Sequence, residues 1–353
     1  MIVDKKKALK HLIRNIVGLL AAVMLVVYLV DPFYQYHAPF FGLPAVLYDR
    51  DHQVVGTIRS FEYDSVLLGS SVAENFNTDY LKEQYDCDTL KVIRASGSVA
   101  DLLYYMDMVH EEQELKRVFW SLDIFALTSS TEVTLYGEEF PRYLHTKSIL
   151  DDYSYLLNKD VLFMKIPLTF AYGAQGRNSN GQAYDWSADK DFSAAGAMRA
   201  YVKPEENLPM QSFEEEKPLI AENIRMVLEE INSHPQTEYT ILFPPYSMLW
   251  WDSGYVNGIS EKYFYVLEQV LPQLIACGNV KVYFFMAEKD IVCNLDNYMD
   301  MIHYTPAINQ FMLEQLDREK YLVDAENQDE VLQEMRQVYE EMIEEHIYKY
   351  YPQ

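Results

Sequence analysis

Short apolar runs recur along this 353-residue chain, and each is followed by a stretch with helical spacing of its apolar residues. The five runs lie at 65–68, 90–93, 117–122, 239–243 and 280–285. Alternation of strands and helices predicts an α/β protein with a parallel sheet covered on both faces. A segment at about 125–215 separates the third and fourth runs, and we interpret it as a large insertion.

The N-terminus has the pattern of a membrane anchor. Residues 15–30 are uncharged and follow five basic residues, and at about 1.5 Å per residue they extend about 24 Å, slightly less than the ~30 Å hydrocarbon core. Arg14 can extend towards the interface and close this gap. Aromatic residues that follow predict an interfacial belt: Phe33, Tyr34, Tyr36, Phe40 and Phe41.

Two alternatives compete with an uncleaved anchor. A buried core helix is disfavoured because the stretch is apolar on every face, and a cleaved signal peptide requires small residues that 30–33 lack. Basic residues stay in the cytoplasm, so we predict a single-pass membrane protein whose chain after Asp31 lies outside the cytoplasm.

Charge separates the anchor from the rest. Five basic residues and one acid give residues 1–30 a net charge of +4, and the total of −25 leaves −29 for the remainder. Such a chain is expected to bind no nucleic acid. No glycine-rich nucleotide loop occurs, and the three cysteines lack metal-ligand spacing, so we expect neither cofactor nor metal. Cys277 and Cys293 are equally compatible with a disulfide and with free thiols.

Chemistry in an open α/β sheet is expected beyond the carboxyl ends of its strands. Ser71 follows the first run in a Gly-Ser-Ser turn, where nearby N–H groups can stabilise an oxyanion. A nucleophilic serine needs a base and a group that orients it, and Asp300-x-x-His303 follows the fifth run. The sequence therefore predicts Ser71, His303 and Asp300 as catalytic residues.

Other strand ends predict the walls of a binding site. Asp123 follows the third run, and the aromatic loop after the fourth run contains Tyr246, Trp250 and Trp251. We predict that these four side chains contact substrate, although large aromatic residues occupy protein cores more often than they line binding sites.

The segments LLGSSVAENF, SGS and DMIHYTPAIN together resemble the SGNH (GDSL-like) hydrolase superfamily, specifically its membrane-anchored, extracytoplasmic Gram-positive branch, and more distantly the DltD-type proteins of teichoic acid D-alanylation. The resemblance covers about residues 62–315. It implies a three-layer α/β/α fold with a five-stranded, flavodoxin-like parallel sheet in the order 2-1-3-4-5. We therefore expect one such domain over 62–353, with the insertion at about 125–215, after the anchor at 1–30 and a linker at 31–61.

The resemblance assigns roles to individual residues. Ser71 is the nucleophile, with Ser70 where the family has aspartate, and the Ser71 and Gly97 N–H groups form the oxyanion hole. The asparagine that completes this hole in the family is Leu122 here, so we predict that Asn75 substitutes. The predicted function is an O-acyl esterase or acyltransferase acting on an envelope glycan or acylated polymer, with a membrane acyltransferase as a further candidate partner. A degenerate protein that only binds these partners is the alternative.

Overall fold

The computed structural model describes residues 5–40, 43–134, 140–203 and 206–347, which form two compact units. The N-terminal unit comprises Met1–Phe61 and Gly137–Asn180, and the sheet unit comprises Glu62–Tyr136 and Gly181–Gln353. This division cuts through the predicted insertion, of which 135–139 and 204–205 lie outside the described residues. The predicted domain boundaries stay predictions.

The sheet unit is an α/β structure around one mixed sheet. Its strands are β1 (Ser65–Gly69), β2 (Thr89–Ile93), β3 (Arg117–Ser121), β4 (Glu238–Phe243), β5 (Val280–Phe284) and β6 (Leu322–Val323). Their order is β2-β1-β3-β4-β5-β6, in which β1 to β5 pair in parallel and β6 pairs with β5 in the antiparallel sense. The observed sheet therefore differs in strand count and order from the predicted five-stranded parallel sheet, because β6 pairs with β5 and extends that edge.

The apolar runs form buried strands for a direct physical reason. Every residue of β1 is buried, as expected when helices cover both faces of parallel strands. Helices Thr78–Tyr85 and Val99–Glu112 contact β2, and Ser260–Ile275 contacts β5. Further helices of this unit are Ile124–Leu127, Ala194–Ala200, Lys217–Ser233, Met248–Val256, Lys289–Val292, Pro306–Glu314 and Gln328–Glu341.

The N-terminal unit begins with the helix Lys5–Val30. This helix is long and apolar enough to span a membrane, since its most apolar 18-residue window has a mean hydropathy of 2.3 and only 6% of that window is buried. The other helices of this unit are Arg50–Ser60, Tyr153–Leu156 and Ile166–Gln175, the last preceded by a π-helical turn at Val161–Lys165.

The segment after the first helix is packed rather than extended. Asp31 is completely buried, and its carboxylate accepts hydrogen bonds from the N–H groups of Gln35, Tyr36 and His37 and from the Tyr155 hydroxyl. These bonds join the end of the helix to a segment more than 120 residues away in the chain.

The predicted aromatic belt is only partly available to a membrane surface. Phe33 and Tyr34 are 1% and 3% exposed, because they pack inside the N-terminal unit, whereas Phe40 is 37% exposed. Tyr36 is partly buried, and Phe41 lies outside the described residues.

The cysteine spacing is compatible with a disulfide between Cys277 and Cys293 and with free thiols, and the structure has free thiols. Cys87, Cys277 and Cys293 are all free thiols, with Cys87 buried and the other two partly exposed.

Candidate active site

The turn after β1 presents Ser71. β1 ends at Gly69, and Ser71 begins a single 3₁₀ turn, Ser71–Ala73. A Cβ atom at Gly69 would lie 2.8 Å from the Cβ of Ala73 and 3.1 Å from that of Ser121. Glycine is therefore required at this position, because the turn folds back closely against the end of β3.

A loop beyond β5 positions the base and its partner. The Oδ1 atom of Asp300 accepts hydrogen bonds from the N–H groups of Ile302 (2.9 Å) and His303 (2.8 Å). Its Oδ2 atom lies 2.7 Å from Nδ1 of His303. Because an ionised carboxylate only accepts hydrogen bonds, Nδ1 carries a proton in this arrangement and Nε2 is left as an acceptor.

Ser71, His303 and Asp300 form one hydrogen-bonded chain. The Oγ atom of Ser71 lies 2.8 Å from Nε2 of His303, across 232 positions of sequence. The structure thus brings together the three residues that the sequence predicts as catalytic.

Electrostatics keep Asp300 ionised. Burial raises its pKa, but hydrogen bonds from the His303 ring and from the N–H groups of His303 and Ile302 outweigh burial and hold the pKa below the usual 3.8. The carboxylate therefore carries the negative charge that an imidazolium at His303 requires.

Buried polar side chains hold the two loops in place. Asn309 is fully buried, and its amide donates to the carbonyl of Val72, next to Ser71 (2.9 Å). On the other side, Ser247 donates to the carbonyl of Met301 (2.7 Å) and Tyr298 donates to that of Pro245 (2.7 Å). The loop after β4 thereby supports the loop that carries Asp300 and His303.

Trp186 adjoins this chain and was not singled out from the sequence. Its indole N–H donates to the carbonyl of Ser71 (3.3 Å), and its ring meets the His303 ring edge-on at 5.3 Å between centroids. The only sequence signal is its place in the long polar segment 173–193, whose length alone suggests function.

The predicted oxyanion donors differ in their surroundings. The Gly97 N–H donates to the carbonyl of Arg94 (3.0 Å) within a tight turn, so this bond must open before Gly97 can serve as a donor. Leu122 is completely buried. Asn75 is 7% exposed, and its Oδ1 atom accepts from the N–H of Trp186 (3.4 Å). Among the described residues, the Ser71 N–H makes no backbone hydrogen bond. The roles of Gly97 and Asn75 stay predictions.

The predicted substrate wall is largely core. Tyr246, Trp251 and Asp123 are each at most 2% exposed. The Tyr246 hydroxyl donates to the Asp123 carboxyl, and the Trp251 ring packs against Phe264 at 5.5 Å between centroids. Burial raises the pKa of Asp123. Trp250 is partly exposed and stacks on Tyr263 at 4.2 Å. Only Trp250 of the four thus retains surface for a ligand.

One group of possible metal ligands occurs among the described residues, away from Ser71. His110, Glu230 and His234 place ligand atoms within 4.8 Å of one another. However, the two imidazole rings stack face to face at 3.6 Å, so their in-plane lone pairs do not converge on one point. Glu230 instead accepts hydrogen bonds from Tyr239 (2.9 Å) and His110 (2.8 Å). We interpret the group as a hydrogen-bonded cluster between helices Val99–Glu112 and Lys217–Ser233.

Comparison with known proteins adds no relative to these observations: no protein-family model, no curated protein and no solved structure matches this chain.

Proposed function

We propose that the protein is a serine-dependent O-acyl esterase or acyltransferase that acts on a cell-envelope glycan or polymer. The observation that carries this proposal is the hydrogen-bonded chain from Ser71 through His303 to Asp300. Nucleophile, base and orienting carboxylate with these contacts are the arrangement that acyl transfer through a serine requires.

The proposed reaction has two halves. The Oγ atom of Ser71 attacks the acyl carbonyl carbon while its proton passes to Nε2 of His303, and the Ser71 N–H stabilises the oxyanion. His303 then returns the proton to the departing alkoxide, which leaves an acyl-serine ester. In the second half His303 takes a proton from water or a sugar hydroxyl as that oxygen attacks the ester carbonyl carbon. The bond between the acyl carbon and Oγ of Ser71 then breaks, and His303 returns the proton to Oγ, which regenerates Ser71 and the neutral imidazole. Water gives hydrolysis and a sugar hydroxyl gives transfer.

Location and charge narrow the proposed substrate. The helix Lys5–Val30 is long and apolar enough to span a membrane, which supports a single-pass anchor. We propose that its basic end lies in the cytoplasm and that the sheet unit lies on the opposite side of the membrane. A net charge of −29 after residue 30 disfavours a bare polyphosphate, so we propose a neutral or zwitterionic glycan as acyl acceptor or donor. A three-layer, flavodoxin-like SGNH fold is part of the same proposal.

A second function has specific support. The Gly97 N–H is already bonded to Arg94, and buried Leu122 stands where the family has asparagine. Loss of one oxyanion donor costs on the order of 10²–10³ in rate. A protein that binds an envelope glycan or a membrane acyltransferase without turnover is therefore the alternative.

Labelling with a fluorophosphonate probe separates the two functions. We expect the full-length protein to be labelled, Ser71→Ala to abolish labelling, and the matched neighbour variant Ser70→Ala to retain it. Absence of labelling in the folded wild-type protein, together with measurable glycan binding, would favour the non-catalytic function. Labelling that persists in Ser71→Ala would remove the basis of the proposal.

A further inference from the structure

The N-terminal unit contains a helix whose outward face is apolar. The π-helical turn Val161–Lys165 continues directly into Ile166–Gln175. The exposed positions between 161 and 175 recur at helical spacing, and Gln175 at the end of the helix is the one polar residue among them: Phe163, Met164, Pro167, Phe170, Ala171, Ala174 and Gln175. Phe163, Met164 and Phe170 are 74%, 60% and 55% exposed. An outward face of this composition is unfavourable in water.

Charge is absent from that outward face. Lys165 is the only charged residue between 161 and 176, and its ammonium is 2.5 Å from the Asp49 carboxylate, within the same unit. Other strongly exposed apolar side chains of this unit are Leu43, Ile149, Leu150 and Tyr153. A soluble surface helix normally presents charged residues outward, so this helix has the opposite pattern.

The inward face of the same helix packs against the end of the membrane-spanning candidate. Val161 and Ile166 belong to a core cluster with Val27, and Met24 and Val30 pack against that cluster. The π-helical turn Val161–Lys165, with Ile166 directly after it, therefore lies beside the end of Lys5–Val30. The buried Asp31 carboxylate, bonded to the Tyr155 hydroxyl (2.7 Å), fixes this arrangement directly after the last turn.

The length of the uncharged stretch 15–30 determines how deep in the membrane this contact lies. The uncharged stretch 15–30 extends only about 24 Å, less than the ~30 Å hydrocarbon core, so Met24, Val27 and Val30 are all needed within the membrane. Side chains that pack on these residues must lie at the same depth. The outward side chains at the start of the neighbouring helix, Phe163 and Met164, then lie at the depth of lipid, and Phe170 follows two turns further along the same face.

We propose that the face formed by Phe163, Met164, Pro167, Phe170, Ala171 and Ala174 inserts into the lipid bilayer beside the anchor. The N-terminal unit then lies partly within the membrane, and its apolar face contacts the lipids of the outer leaflet. Apolar area buried in the interface adds to the binding that a short anchor provides. This inference rests on the proposed anchoring by Lys5–Val30 but makes no use of the proposed chemistry.

Spin labels on the full-length chain in lipid nanodiscs test the inference. Single cysteines replace Phe163, Met164 and Phe170 on the face, Leu19 in the anchor and exposed Lys190 in the sheet unit, in a background with Cys277 and Cys293 changed to serine. Collision of each label with oxygen, which concentrates in lipid, is compared with collision with a water-soluble nickel complex. Unchanged circular dichroism and thermal unfolding show that each variant is folded.

We expect labels at 163, 164 and 170 to prefer oxygen, as at Leu19, and the label at Lys190 to prefer nickel. Labels on the face that behave like Lys190 while Leu19 prefers oxygen would overturn this inference and leave the anchoring intact. A Leu19 label that prefers nickel would overturn the anchoring as well. Labels on the face that meet neither reagent would show that protein covers it, which also overturns the inference.

Discussion

Asp300→Asn removes one charge from the Ser71–His303–Asp300 chain and leaves its shape almost unchanged. The amide oxygen can still accept from the N–H groups of Ile302 and His303, as Oδ1 of Asp300 does. The amide NH₂, however, faces Nδ1 of His303, where the carboxylate oxygen lies at 2.7 Å. Since both groups would then donate, His303 must move its proton to Nε2, and Nε2 can no longer accept the proton of Ser71.

The expected loss follows from that tautomer change. The same substitution in a serine protease lowers the rate about 10⁴-fold, which corresponds to about 5.5 kcal/mol of activation free energy. We expect the second-order rate of fluorophosphonate labelling at Ser71 to fall by about 10³- to 10⁴-fold. The matched control Asp296→Asn changes an exposed carboxylate in the same loop, which accepts only from the Ala194 N–H among the described residues (2.9 Å), and should stay near the wild-type rate.

The pH dependence of folding stability checks the charge assigned to Asp300. Because the folded-state pKa of Asp300 lies below its usual value of 3.8, the ionised carboxylate stabilises the folded protein above that pH, and the contribution fades as acid protonates it. Asp300→Asn should therefore be less stable than wild type at pH 7, and the difference should shrink in strong acid. A folded Asp300→Asn that is labelled as fast as wild type would refute the assigned role.

Three further predictions concern other buried contacts. Burial lowers the pKa of Lys91 from 10.5 to about 7. Between these two pH values the unfolded chain binds one more proton than the folded protein, so the free energy of unfolding rises by about 1.4 kcal/mol per pH unit. Lys91→Met should remove this pH dependence when unfolding by urea is measured at pH 7 and pH 9. Trp186→Phe loses the bond to the Ser71 carbonyl, worth about 1 kcal/mol, and should slow labelling about five-fold, whereas an unchanged rate would show that the indole N–H does not position Ser71. Asp31→Ala leaves three N–H groups and the Tyr155 hydroxyl without their acceptor and should lower the free energy of unfolding by about 3 kcal/mol. If the loss of unfolding free energy is no larger than in the exposed control Asp160→Ala, the described packing around Asp31 is contradicted.

Strands β1 to β5 lie within one residue of the apolar runs, because a buried parallel strand must be apolar on both faces. β6 escaped prediction since two residues, Leu322 and Val323, show no periodicity. The association of 137–180 with the N-terminal helix also has no local signal. It depends on contacts such as Asp31 with Tyr155, which join distant parts of the chain.

The candidate site likewise contains residues that the sequence predicts and residues that it does not. Asp300 and His303 were predictable because a three-residue spacing places a carboxylate beside an imidazole within one turn, and Ser71 because it follows a strand. Trp186 was not, since its approach depends on how a long polar segment folds. The position of the aromatic loop after the fourth run predicts Tyr246 and Trp251 on the substrate wall, whereas both side chains are buried and Tyr246 bonds to buried Asp123.

The most direct test of the central claim is to locate the labelled atom. Trypsin releases residues 60–82 as one peptide, which contains Ser60, Ser65, Ser70 and Ser71, and fragment ions distinguish them. After reaction of the full-length protein with a fluorophosphonate, we predict that the added mass lies on Ser71 alone and is absent from His303→Ala. A folded protein whose label lies on another serine, or whose labelling is unaffected by His303→Ala, would contradict the account.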